Sequence, residues 1–404
     1  MAITDKEQGV WELEQVYNKI NQGDIWEYTA PKELWMWGRN DFGQIGQNTQ
    51  APINSGRSSP LQISGTTWSN LGTVHYGYSR TATKSDGTLW GWGRNSYGQI
   101  GSNSIVPGPS DNGVSSPVQC GSDTTWSTDI GKLSSGNYGQ CKLAVKTDGS
   151  LWALGNDTQG RLAQNTEGVA KSSPVQIPGT WGSCAAGMVA NYAISTGGAL
   201  YGWGQNNLGQ IGNEGTDNRS SPIQLGTGWA LVSGGRETAM AVKTDGTLWS
   251  WGGNENGCLG QNNDPPADRS SPTQVGTDTT WSTRYGTFGH TQFSVTAIKT
   301  DGTLWAWGQN PSGQLGIPTI PAGTRISSPT QVGTDTTWNV ISGQDTSYIA
   351  TKTDGSLWAW GANTRGALGQ GDVTAYSSPK QIGTGTGWTQ VVGGNQGGGS
   401  IKQL

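Results

Sequence analysis

One short motif, called the repeated line below, occurs seven times along the chain of 404 residues. It reads Leu-(Trp/Tyr)-x-(Trp/Leu)-Gly, and each copy is followed by a Ser-Ser-Pro-x-Gln line and then by a single Trp. The first line starts at Leu34, Leu89, Leu151, Leu200, Leu248, Leu304 and Leu357. A period of about 50 residues indicates a propeller, a solenoid or a repeat array.

The local chemistry of each repeat favours strands. In YIATKTDGSLWAWG, residues 348–361, Asp-Gly lies between two short apolar runs, which predicts a β-hairpin with a two-residue type I′ turn. The lines SSPTQV (residues 327–332) and WNVISG (residues 338–343) supply two further strands. Four strands in each of seven repeats predict an all-β fold, a seven-bladed β-propeller of four-stranded antiparallel blades.

The two ends of the repeat region complement each other. The line at Leu34 has no hairpin partner upstream, and the stretch 388–404 stops where an Asp-Gly turn is due. One blade is therefore expected to combine a strand from residues 34–38 with strands from the C-terminal end. Such closure removes free sheet edges. The predicted domains are an N-terminal docking segment, residues 1–30, and a propeller, residues 31–404.

The N-terminal segment carries a helix pattern. Thr4 and Glu7 fit a capping box, and apolar residues follow at helical spacing. The predicted docking residues are Val10, Trp11, Leu13, Tyr17, Ile20 and Trp26. A helix of about 16 residues needs a surface to pack on. That surface is either its own propeller, a partner, or a second copy of the segment in an oligomer.

Strand alternation brings the irregular loops of all blades onto one face of the propeller. The opposite face carries near-identical Asp-Gly turns. A rigid scaffold with variable loops on one side is typical of binding proteins. The predicted contact residues on the irregular face are Tyr76, Tyr78, Arg80, Tyr138, Arg236, Phe288 and His290. The alternative is that these loops only close the ring.

The sequence gives little support for catalysis. It has only two histidines, His75 and His290, and none of the common catalytic motifs. Asp86, Asp148 and their three counterparts in the later repeats are explained by turn chemistry. The stretch 262–268, NNDPPAD, offers oxygen atoms but lacks the ligand alternation of a calcium loop. We expect a protein that is not an enzyme and that binds no metal or cofactor.

The net charge and the apolar content of the chain argue against a nucleic-acid-binding protein and against a membrane-inserted protein. A net charge of −4 and a pI near 5.3 argue against a nucleic-acid surface. No apolar run is long enough to insert into a membrane, and acidic residues occupy the N-terminus where a signal peptide would be apolar. The four cysteines show no CxxC spacing, which indicates free thiols in a protein made in a cytosol.

The line LWAWGQNPSGQLG, residues 304–316, together with the Ser-Ser-Pro-x-Gln and Trp positions, resembles the regulator-of-chromosome-condensation repeat family. The resemblance covers residues 31–404 and implies a seven-bladed propeller. The founding member's activity, nucleotide exchange on a small GTPase with chromatin binding, is disfavoured by the acidic balance and the absence of a basic tail. A plant UV-B receptor of this fold uses a Gly-Trp-Arg-His-Thr phrase, whereas residues 234–240 read GGRETAM.

A second resemblance involves GVWELEQVYNKINQGDIWEY, residues 9–28. It is similar to N-terminal segments of virion proteins from tailed phages of marine bacteria. This implies a virion component assembled in the host cytoplasm: a tail appendage, a host-recognition protein or a capsid decoration. The expected partners are other virion proteins or a host surface receptor or glycan. The alternatives are a protein inhibitor or regulator of an enzyme, and a glycan-cleaving appendage.

Overall fold

The computed structural model describes residues 30–49, 56–74, 77–105, 113–136, 140–263 and 267–404. Within these ranges regular structure is almost entirely β, arranged as seven antiparallel sheets, so the predicted seven-bladed propeller is confirmed. The chain divides into two units, Met1–Pro31 and Lys32–Leu404, and the second unit is the propeller. The predicted N-terminal helix and its docking residues lie outside the described residues. No helix in the described ranges is both long and apolar enough to cross a membrane.

Blades are numbered here in chain order. Blade 1 contains β1 (Lys32–Arg39), β2 (Gly56–Ile63), β28 (Trp388–Gly394) and β29 (Gly397–Gln403). Blade 2 contains β3 (Trp68–Leu71), β5 (Ser79–Lys84), β6 (Leu89–Gly93) and β7 (Val114–Gln119). Blade 3 contains β8 (Leu133–Gly136), β9 (Cys141–Val145), β10 (Leu151–Gly155) and β11 (Lys171–Ile177). A short parallel strand, β4 (Thr73–Val74), adds to the edge of blade 3 beside β8.

The remaining blades follow the same pattern. Blade 4 contains β12 (Trp181–Ala186), β13 (Ala190–Ser195), β14 (Leu200–Gly204) and β15 (Arg219–Gln224). Blade 5 contains β16 (Trp229–Gly234), β17 (Thr238–Lys243), β18 (Leu248–Gly252) and β19 (Arg269–Gln274). Blade 6 contains β20 (Phe288–His290), β21 (Ser294–Ile298), β22 (Leu304–Gln309) and β23 (Arg325–Gln331). Blade 7 contains β24 (Trp338–Gly343), β25 (Ser347–Lys352), β26 (Leu357–Gly361) and β27 (Tyr376–Gln381).

Blade 1 closes the ring. Its strand order is β2-β1-β29-β28, and β1 pairs antiparallel with β29 so that Leu34 lies opposite Ile401. The prediction of closure in one blade is confirmed, but the expected division of strands was wrong. Each end supplies two strands, because the first Ser-Ser-Pro line, starting at Ser58, forms the outer strand directly after β1 as it does in every repeat.

The Asp-Gly hairpins also differ from the prediction. In blade 2 the Gly87 N–H donates to the carbonyl of Lys84 at 3.0 Å, and Gly87 has a φ of 76° while Asp86 does not enter the positive-φ region. A type I′ turn would require positive φ at both positions, so the loop is the three-residue kind that ends in a left-handed glycine. The Asp86 carboxylate accepts the Thr88 N–H at 3.0 Å and the Thr88 hydroxyl at 2.6 Å. These bonds lower the pKa of Asp86, and turn chemistry accounts for the recurring acid.

The hydrophobic core lies between neighbouring blades. The second Trp of the repeated line is almost fully buried and reaches into the preceding blade: Trp360 Nε1 donates to the carbonyl of Gln314 at 2.9 Å. Trp307, Trp251, Trp203, Trp92 and Trp37 make the equivalent bond. Each such ring buries about 150–250 Å². The repeated line is therefore interblade core, as its recurrence indicates.

Strands within a blade are counted outward from the propeller axis, so that in blade 1 the order is β28, β29, β1 and β2. The innermost strands of neighbouring blades contact one another. The approach is closest where glycines meet. A Cβ placed on Gly393 of β28 would lie 1.8 Å from the carbonyl oxygen of Gly343 of β24. A Cβ on Gly343 would in turn lie 1.9 Å from the carbonyl oxygen of His290 in β20. Only glycine fits these contacts, which bring the inner backbones together without side chains.

Candidate functional site

The strand order separates two faces. The loop between the first and second strands of a blade leaves the sheet on the same side as the link between its third and fourth strands. In blade 5 these are residues 235–237 and 253–268. We call this side the loop face, and the side with the Asp-Gly hairpins the turn face. The structure thus places both sets of irregular loops together.

Two of the predicted contact residues lie at the surface of the loop face. Tyr78 is half-buried just before β5, and the Arg236 side chain is 37% exposed, 3.8 Å from the carboxylate of Glu237. Tyr76 and Tyr138 lie outside the described residues.

Three other predicted contact residues are buried beneath the loop face. Arg80, Phe288 and His290 are 1%, 8% and 1% exposed. They belong to the second or the first strand of their blades, where side chains point into the interblade space rather than toward solvent. These three side chains lie beneath the loops and do not face solvent. Substituting them would therefore change binding only by changing the loops.

Arg80 forms part of an unusual buried pair. Its Nη1 donates to the carbonyl of Gly77 at 2.8 Å, and burial lowers the pKa of Arg80 to about 10. In the next blade the fully buried Lys142 places its Nζ 3.4 Å from the carbonyl of Ser79. Burial, and then the charge of Arg80, lower the pKa of Lys142. Neither cation has a carboxylate partner among the described residues.

At the surface, Tyr78 belongs to a larger group of side chains on blades 7, 1 and 2. We call it the arginine–aromatic cluster: Arg39, Asp41, Phe42, Tyr78, Arg94 and Arg365. Phe42 and Tyr78 meet edge to face with ring centres 5.2 Å apart. The guanidinium of Arg39 lies 4.9 Å from the Tyr78 ring centre, and that of Arg94 lies 5.4 Å from the Phe42 ring centre. Stacking of this kind fixes rotamers that would otherwise be mobile.

Asp41 holds the cluster together electrostatically. Its Oδ2 accepts from Arg39 Nε at 2.6 Å and lies 3.8 Å from Arg365 Nη1. Arg39 Nη1 also donates to Asn395 Oδ1 at 2.9 Å. Two guanidinium groups, those of Arg39 and Arg365, thus share the Asp41 carboxylate, and the third, that of Arg94, stacks on Phe42.

Sequence reasoning found Tyr78 but missed the rest of this cluster. A signal was present, since only the first two repeats continue from Trp-Gly into Arg-Asn, at Arg39 and Arg94. Arg365 had no comparable signal, because it comes from the seventh repeat and meets Asp41 only through ring closure.

A second polar contact ties the inner loops of blades 6 and 7. Gln292 Nε2 donates to Asp345 Oδ1 at 2.6 Å, and the Gln292 N–H donates to the Asp345 carbonyl at 3.1 Å. Burial raises the pKa of Asp345 in spite of these bonds. The loops at the centre of the loop face are therefore ordered by one another.

Within the described ranges, no three His, Cys, Asp or Glu side chains come together as a metal site. The stretch 262–268, which lacks the ligand alternation of a calcium loop, is only partly described; its Asp268 accepts the Asn254 N–H at 2.8 Å. The four cysteines are buried free thiols, as the sequence predicts.

Comparison with known proteins clarifies the repeat. The family model of the regulator of chromosome condensation (RCC1) repeat matches residues 197–242, 245–283, 301–343 and 354–398. In these four ranges the chain is similar to RCC1 repeats. This confirms the predicted resemblance for blades 4 to 7, and the structure shows that blades 1 to 3 share their architecture. The resemblance of residues 9–28 to phage virion proteins stays a prediction.

Curated relatives match only part of the chain. The ultraviolet-B receptor UVR8 of Arabidopsis thaliana is 27% identical over 201 residues, 46% of this chain and 40% of the receptor. The regulator of chromosome condensation of Xenopus laevis is 25% identical over 198 residues, 46% of this chain and 45% of that protein. The chain thus spans less than half the length of these relatives.

Solved structures match the whole propeller. Prp20p from Saccharomyces cerevisiae superposes with a TM-score of 0.78 at 17% identity, covering 96% of this chain and 95% of that one. At this identity the likeness concerns the fold alone.

Proposed function

We propose that this chain is a binding protein without catalytic chemistry, and that its RCC1-repeat propeller presents the loop face to a protein partner. The observation that carries the proposal is the arginine–aromatic cluster. Tyr and Arg are the side chains that most often dominate binding energy at protein interfaces. Here they are half-buried and held by mutual contacts such as Arg39 over Tyr78. Little side-chain entropy remains to be lost on binding.

The charge of the cluster favours an acidic partner surface. The cluster contains three guanidinium groups, two of which share the carboxylate of Asp41, and arginine recognises carboxylates through paired, charge-assisted hydrogen bonds. A protein partner is also consistent with the relatives: the work on Prp20p describes its binding to Gsp1p and histones. Association should weaken as ionic strength rises, because exposed charges are screened.

We expect Tyr78→Ala and Arg94→Ala each to lower affinity for the partner by more than about tenfold, the effect of losing an interface anchor. The partner is isolated with the unaltered chain from host cells or particles and then titrated by calorimetry. Asp148→Asn and Asp245→Asn on the turn face serve as matched controls that should alter the melting temperature and not the affinity. Loss of binding in the turn-face variants alone, or glycan cleavage by the loop face, would contradict the proposal.

The virion setting is a further part of the proposal, supported by the N-terminal resemblance. A chain starting at Thr29 should keep the propeller, since the repeats begin after this point. We expect it to stay folded but to be absent from purified particles, measured by mass spectrometry beside the full-length chain. Incorporation of the shortened chain would contradict the docking role. A chain found only with a soluble cellular protein would favour the inhibitor or regulator alternative.

A further inference from the structure

In six of the seven blades, a lysine at or next to the end of the second strand lies over one or two aromatic rings. In blade 5, Lys243 Nζ lies 4.2 Å from the ring centre of Trp249 and 5.1 Å from that of Trp229. The other lysines with this contact are Lys84, Lys146, Lys299, Lys352 and Lys402. A cation over the face of an aromatic ring is attracted by the ring quadrupole. The repeats therefore define an ammonium position in the groove between blades.

Blade 4 lacks this lysine. Ser195 pairs with Trp181 across the ladder at the register position where Lys243 pairs with Trp229 in blade 5, and its hydroxyl accepts the Ala199 N–H at 3.1 Å. The rings remain, because Trp181 and Tyr201 meet edge to face with centres 5.1 Å apart. In the described part of the chain no lysine or arginine lies over either ring. Blade 4 thus keeps the aromatic position without its cation.

The groove at this position of blade 4 is also larger than the corresponding groove between blades 5 and 6. Between blades 3 and 4 it has a volume of about 590 Å³, and all its lining side chains are uncharged. The corresponding groove between blades 5 and 6 has about 370 Å³ and contains Lys299 with its partner Asp278. In the blade 4 groove, Gln164 and Gln176 offer amide oxygens as acceptors, and Pro178 offers an apolar wall.

We propose that this groove binds a lysine side chain of a protein partner, with the ammonium over Tyr201 and Trp181. Five blades show the geometry with the chain's own lysines, in which the ammonium lies nearest the half-buried ring of the third strand, whereas in blade 1 Lys402 lies 5.6 Å from the ring centre of Trp388. Tyr201 is that ring in blade 4. The four-carbon stem packs on the apolar wall, and the amide oxygens accept from the ammonium. The site lies in the groove between blades 3 and 4. It would bind a positively charged group, whereas the loop face is expected to bind an acidic surface.

The test uses short peptides with one central lysine, free, trimethylated or acetylated, titrated into the full-length chain. Binding is followed by the NMR shifts of isotope-labelled tyrosine. We expect the free and trimethylated peptides to bind about 2- to 30-fold more tightly than the acetylated one, which has the stem without the charge. Equal binding of the acetylated peptide, or no binding at millimolar peptide, would overturn the proposal.

The chain offers matched variants for the same titration. Ser195→Lys supplies the cation internally and should abolish binding without lowering the melting temperature. Lys243→Ser removes the ammonium from the rings of blade 5. The link before that blade, residues 225–228, contains no aspartate, so the number of peptides bound per chain should rise from one to two. Retained binding in Ser195→Lys, or an unchanged stoichiometry in folded Lys243→Ser, would refute the aromatic position as the cause.

Discussion

Removal of residues 396–404 should cause aggregation or lower the melting temperature on the order of 10 °C or more. The deletion removes β29, which lies between β1 and β28, so both neighbours lose their hydrogen-bonded partner. It also removes Ile401, which is fully buried in the core of blades 1 and 2. Two unpaired strand edges in an open ring are templates for association with other chains. Differential scanning calorimetry with light scattering measures both effects.

Two controls separate closure from simple shortening. Removing Leu404 alone, which is 59% exposed and beyond β29, should leave the melting temperature unchanged. A circular permutant that joins residue 404 to Lys32 by a short turn and opens at the Asp245-Gly246 hairpin should melt like the propeller, because Lys32 already lies opposite Gln403. A chain without residues 396–404 that melts like the full-length chain would refute closure by β29.

Gly393→Ala should destabilise the propeller by about 3 kcal/mol or more, the upper range for adding atoms to a packed interior. The new Cβ would lie 1.8 Å from the carbonyl oxygen of Gly343, and the obstructing atom belongs to the backbone of a neighbouring inner strand. No rotamer change relieves such a contact, so two blades must move apart. Chemical denaturation monitored by circular dichroism measures the loss of unfolding free energy.

Gly215→Ala is the matched control. Gly215 has ordinary φ, and a Cβ there would meet nothing closer than the Asn213 side chain at 3.8 Å. We expect a change within about 0.5 kcal/mol, as is usual for surface substitutions. If Gly393→Ala and Gly215→Ala had equal free energies of unfolding, the inner strands would tolerate the separation that the new Cβ requires, and the prediction would be wrong.

Much of the fold was predictable because each repeat encodes the same interblade packing. The spacing of the repeated line predicted the number of blades and the four strands of each. Strand alternation placed the irregular loops on one face, as in blade 5. The unpaired line at Leu34 predicted a ring closed between the two ends, and its pairing with Ile401 confirms this.

The remainder depended on geometry that short patterns do not carry. Asp-Gly suits several turns, and the capping of Thr88 by Asp86 selects the three-residue loop. Arg80 resembles a loop residue in sequence, yet its position within β5 buries it. The arginine–aromatic cluster needs blades 7, 1 and 2 to be neighbours, which brings Arg365 to Asp41 only once the ring closes.

Blade 1 also sets the order of events during synthesis on the ribosome. Among the described strands of the propeller, β1 and β2 are synthesised first, and β28 and β29 are synthesised after the others. Because the ribosome adds about 5–20 residues per second, β28 and β29 are complete roughly 20 to 70 s after β1 and β2. Throughout that interval the apolar residues of β1, Leu34 and Met36 among them, lack the strand that covers them. Nascent chains stalled before residue 388 should therefore be recognised by chaperones, and synthesis of residues 388–404 should end that recognition.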